Sequence, residues 1–135
     1  MDKKFWISVG ITFVLLGIME PLVNVLILGS DWELLLLQSV TRAEYKFLVF
    51  YVVYLFMAFG LTFIYSKGHE GSGVGEGIRF GFYMSLISFL PIAYFTYALF
   101  PITYSLTLKW YLSGLVELII IGIVLNKLYS KTSTQ

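Results

Sequence analysis

Cysteine is absent from this chain of 135 residues, and histidine occurs once, at His69. Without thiols there are no disulfides, no thiolate nucleophile and no cysteine-ligated metal. His69 has one neighbouring carboxylate, Glu70, too few donors for a metal site. With a single histidine and no cysteine, no nucleophile–base–orienter set stands out, and no cofactor signature accompanies it. Charge is scarce as well. Nine basic and eight acidic residues leave a net charge of +1. That excludes the basic footprint of a nucleic-acid binder. Charged residues make up 13% of the chain, against roughly 25% in soluble domains. So few charges cannot clothe a water-exposed globule.

What the chain has in excess is hydrocarbon. Hydrophobic residues reach 59%, against about 45–50% in soluble domains. They fall in four blocks, residues 5–28, 47–65, 80–100 and 106–128. Crossing a bilayer as a helix takes about 20 such residues. Glu20 and Pro21 interrupt the first block. The second and third are uncharged, with Pro91 inside the third and Pro101 just after it. The fourth holds Lys109 near its start and Glu117 in its middle. Uninterrupted runs lack the alternation of a barrel strand, and a backbone in lipid must satisfy its own hydrogen bonds. The expectation is a single all-α domain, an integral membrane four-helix bundle. The first block is too long for a signal peptide and lacks a cleavage site, so it reads as a retained span.

The connections refine this. Ser30-Asp31-Trp32-Glu33 predicts a short helix start, with Ser30 as cap, lying at the membrane interface in the first external loop. Residues 66–77 read as a flexible glycine-rich loop. Residues 101–105 allow only a tight turn, making the third and fourth spans antiparallel neighbours. Lys3, Lys4, Lys67, Arg79, Lys127 and Lys131 fall on one side; Arg42, Lys46 and Lys109 fall on the other. The richer side is expected to be cytoplasmic, with both termini there.

Two groups of residues are candidates for function. Counted at about 1.5 Å per residue, Glu20 lies roughly 12 Å and Glu117 roughly 15 Å from the outer boundary. Asn24 is one turn from Glu20, and Tyr54 and Tyr94 come to a similar depth. A carboxyl in hydrocarbon costs about 2.5–3.5 kcal/mol on insertion scales and faces protein or water. This layer of Glu20, Asn24, Tyr54, Tyr94 and Glu117 is either helix glue or a site for a proton, cation or small polar ligand. Lys109 is expected to snorkel outward. The second group is Gly77, Gly81, Ser85 and Ser88 on the third span, with Ser113 and Gly114 on the fourth. Small residues at this spacing let helix backbones approach closely, within this chain or against another copy. The glycines at 71, 73, 75, 77 and 81 do not match the dinucleotide fingerprint. Their amides, with Lys67 and Arg79, could at most attract a phosphate.

Four segments carry a family resemblance: Ile-Tyr-Ser-Lys-Gly at 64–68, Glu-Gly-Ile-Arg-Phe-Gly at 76–81, Tyr-Ala-Leu-Phe-Pro-Ile at 97–102 and Lys-Trp-Tyr-Leu-Ser-Gly-Leu-Val-Glu at 109–117. In these the chain resembles small uncharacterised bacterial membrane proteins of four spans. The resemblance implies a four-helix fold in a bacterial inner membrane and carries no activity. Two function classes follow from the residues. One is a non-enzymatic accessory subunit that binds other membrane proteins or itself. The other is an oligomeric small-solute or ion permease using the carboxylate layer.

Overall fold

A computed structural model describes residues 1–40, 42 and 44–130. Six helices follow one another: α1 (Lys3–Leu26), α2 (Gly29–Leu37), α3 (Phe47–Gly68), α4 (Val74–Ile87), α5 (Phe89–Leu99) and α6 (Tyr104–Ser130). Among the described residues there is no strand. Four stretches are long and apolar enough to cross a membrane: Lys3–Leu26, Phe47–Gly68, Val74–Leu99 and Tyr104–Ser130.

The ends of these helices follow local chemistry. The Phe5 backbone N–H donates to the Asp2 carboxylate at 2.9 Å and so caps α1. Pro21 lies inside α1 without ending it. The third apolar stretch is bent. α4 closes at Ser88, whose N–H and hydroxyl both donate to the Met84 carbonyl, at 3.0 and 2.7 Å. Pro91 has no N–H to offer the Ile87 carbonyl four residues back, so a regular helix cannot run through. The first interhelical segment corrects an expectation. Ser30 does not cap α2; Leu28 holds the cap position with no side-chain bond. Leu28 is fully buried, packed in a small cluster with Leu35, Ile102 and Leu106.

α4 and α6 form the most intimate pair, and α5, joined to α6 by the short 101–103 turn, continues along it. α1 packs on α3, and a narrower seam joins α1 to α6. The principal core runs through Leu16, Ala58, Leu61, Leu118, Ile121 and Leu125. The start of α1 and the end of α6 lie at one end, where Lys4 Nζ donates to the Tyr129 carbonyl at 3.1 Å and sits 4.5 Å from its ring centre. Lys3, Lys67 and Lys127 belong to the same end; Lys131, used in the charge count above, lies outside the described residues. The outer surface is apolar. From Phe47 to Val53 every side chain of α3 is exposed, an arrangement suited to hydrocarbon and not to water.

Candidate functional site

The small residues act first, because they set how closely the helices approach. Gly77, Gly81 and Ser85 are buried along one face of α4. A Cβ on Gly77 would run into the Gly122 carbonyl, and one on Gly81 into the Leu118 carbonyl. Gly114 takes the Phe89 ring flat against its backbone. The partner of this stripe is therefore α6 of the same chain. Ser88 and Ser113 are only half-buried, and Ser88 spends its hydroxyl on Met84. Gly122, two turns beyond Gly114, completes the contact and escaped the sequence reading, which stopped at Ser113 and Gly114 on the fourth span.

The carboxyl layer sits on the α1–α6 seam. The Asn24 amide donates to the Glu20 backbone carbonyl at 2.8 Å and to its side-chain Oε2 at 3.2 Å. From α2, the Trp32 indole N–H donates to Asn24 Oδ1 at 2.9 Å. An indole can only donate, so it fixes which end of the Asn24 amide faces Glu20. Glu117 projects from α6 beside Glu20, and the two carboxyls interact directly. Glu117 is 2% exposed. Its Oε2 is buried with no hydrogen-bond partner. Tyr54 stands within electrostatic reach of both carboxyls. Tyr94, placed in this layer by depth, does not join it by any bond among the described residues; its hydroxyl meets that of Tyr104 at 3.3 Å. Neither carboxyl is acted on by a basic side chain of the described residues. Lys109, the nearest cation in the sequence, is engaged elsewhere. Instead of snorkelling free, it pairs with Asp31 of α2 at 2.9 Å. Beside that pair, Trp32 and Trp110 meet edge to face at 5.7 Å.

A second polar group lies at the terminal end and was not foreseen. The Asn126 amide donates to the Tyr65 hydroxyl at 2.9 Å. The Thr12 and Thr62 hydroxyls meet at 3.5 Å between α1 and α3. None of these residues interrupts its apolar run strongly enough to be noticed in sequence. They tie helices together through mutually satisfied groups, and that is a structural task.

The glycine segment is shorter and better organised than a flexible loop of residues 66–77. Only residues 69–73 lie between helices. Gly71 and Gly73 take φ of 74° and 90°, which favour glycine. The Glu76 carboxylate accepts from the backbone N–H groups of Glu70 and Ser72, both at 2.8 Å. Arg79 reaches the Ser72 hydroxyl at 3.3 Å. Two amides of this connection, those of Glu70 and Ser72, are thus turned to an internal anion. Comparisons with family models, curated proteins and solved structures gave no match, so the functional reading rests on these side chains alone.

Proposed function

We propose that this chain is a non-enzymatic, multi-pass membrane protein that holds a proton or a small cation at the Glu20–Glu117 pair. It serves ion or solute movement across the bilayer, working as an oligomer. One observation carries the reading. Glu117 is 2% exposed, carries an unpartnered Oε2 and abuts a second carboxyl with no basic side chain beside them. Two adjacent carboxylates in a low-dielectric interior cannot both keep bare charges, so a proton or a cation accompanies them. Helix glue alone would be matched by donors, as Asn126 is matched to Tyr65. Asn24 serves Glu20, and Glu117 is left over.

The apolar exterior supports a bilayer as the solvent. The excess of lysine and arginine at the terminal end supports cytoplasmic termini, and the motif resemblance supports a bacterial inner membrane. The test is flux. Purified protein in sealed vesicles, given a proton or alkali-cation gradient, passes current that Glu20→Gln with Glu117→Gln abolishes. Parental flux from the double variant, or none from the parent, ends this reading.

A second reading is an accessory subunit that binds another membrane protein. The stripe of Gly77, Gly81 and Ser85 does not support it, being covered by α6. The stretch from Phe47 to Val53, exposed on every side, does. Co-purification from native membranes after mild crosslinking tests it, and a chain recovered alone sinks it.

A further inference from the structure

A groove of about 400 Å³ opens between α1 and α6, and Glu117 of the carboxyl pair lines it. Leu22, Ile27, Leu112 and Val116 form its walls, and Ser113 and Glu117 are its polar members. Leu22 and Val116 are more than half exposed. The groove therefore faces the surroundings of the apolar helices, which in a bilayer is the hydrocarbon itself.

We infer that this groove is a binding site for a lipophilic amine, with the ammonium at Glu117 and the apolar body between α1 and α6. The inference rests on the proposed reading of the carboxyl pair and names the class of cation it takes. Two features separate this class from others. Calcium wants about six to eight oxygens and magnesium an octahedral shell. Here one carboxyl, that of Glu117, lines the groove, while Asn24 Oδ1 is already committed to Trp32. A hydrated metal ion would also have to cross an entrance with apolar walls. An ammonium needs few acceptors, brings its own N–H donors and is satisfied by one or two carboxylate oxygens. Its alkyl body suits the walls. Charge complementarity completes the case, because Glu117 is an acid with an unpartnered oxygen and no basic side chain lines the groove beside it. Glu117 lines the groove while its Oε2 is buried, so receiving the amine takes a rotation of that flexible side chain.

The experiment is equilibrium binding to the full chain in nanodiscs, with empty nanodiscs subtracted. Octylamine is the probe, octanol the uncharged control of equal length and tetramethylammonium the cation without an apolar body. Octylamine is expected to bind more tightly than either, and Glu117→Gln to weaken it by about ten-fold or more, the worth of a charge-assisted bond. Val116→Trp, on the exposed wall, fills the groove and weakens octylamine while leaving the acid itself in place. Equal binding of octylamine and octanol overturns the inference, as does octylamine binding untouched by both variants. Binding needs no gradient, so the two ideas fail separately. Flux without amine selectivity removes the ligand class alone, and amine binding without flux removes the transport role alone.

Discussion

Gly77 of α4 and Gly122 of α6 face each other backbone to backbone, and a Cβ on either would collide with the other's carbonyl oxygen. Neither position can give way, because the obstacle is main chain. Gly77→Ala or Gly122→Ala should therefore force α4 and α6 apart and destabilise the fold by about 1–3 kcal/mol. Gly17 and Gly60 have nothing within 4 Å of an added Cβ. Alanine there should leave stability unchanged or slightly raised, since glycine is a poor helix former. Unfolding in mixed detergent, followed by circular dichroism, ranks the four variants.

The Asp31–Lys109 pair ties α2 to α6, with the lysine side chain 42% and the aspartate 15% exposed. Solvent screens such a pair, so Lys109→Met should cost no more than about 1 kcal/mol. Its geometric consequence is larger than its energy, because Trp32 rides on the same helix and holds Asn24. Loss of the pair is expected to speed deuterium exchange at the Trp32 indole N–H. A double-mutant cycle with Asp31→Asn isolates the coupling.

Glu117→Gln distinguishes glue from site by stability alone. A carboxyl that cements the bundle would take about 1–3 kcal/mol with it when changed. An acid kept for its proton or cation leaves the fold unharmed, within about 1 kcal/mol, because the neutral amide removes a buried charge problem. Asn24→Leu is the contrasting case. It cuts bonds to Trp32 and Glu20 and should cost about 0.6–2 kcal/mol, the range for polar contacts between spans. Thermal unfolding in nanodiscs gives both values.

Glu76→Ala should open the 69–73 connection and leave the bundle standing. The backbone N–H groups of Glu70 and Ser72 lose their acceptor, and hydrogen exchange at these two amides should accelerate. A protease is expected to cut there first. Unchanged exchange at both amides would show that the carboxylate does not order this connection.

The apolar helices were legible because nothing competes with the signal. A run of twenty hydrophobic residues has one structural solution in lipid and needs no partner to declare itself. What lay between the runs was less legible. Val74 to Gly77 reads as loop by glycine content, yet it is helix, because the missing side chains let it press on α6. Depth along a helix put Glu20 and Glu117 at a similar level and also suggested Tyr94. Depth says nothing about which way a side chain points around the axis, and Tyr94 faces Tyr104. The Asp31–Lys109 pair joins residues seventy-eight positions apart. No local pattern records such a meeting. The polar ties at Thr12, Thr62, Tyr65 and Asn126 were hidden for a related reason, since one hydroxyl or amide in an apolar run looks like noise until its partner is seen.

The seam that brings the two carboxyls together is made by the first long helix and the last. A ribosome delivers Glu20 to the bilayer nearly a hundred residues before Glu117. Throughout that interval the earlier acid waits with its Asn24 neighbour but without its counterpart. Under the proposed reading the pair forms only once α6 has been made, and a chain stalled ahead of α6 would carry one acid without its partner.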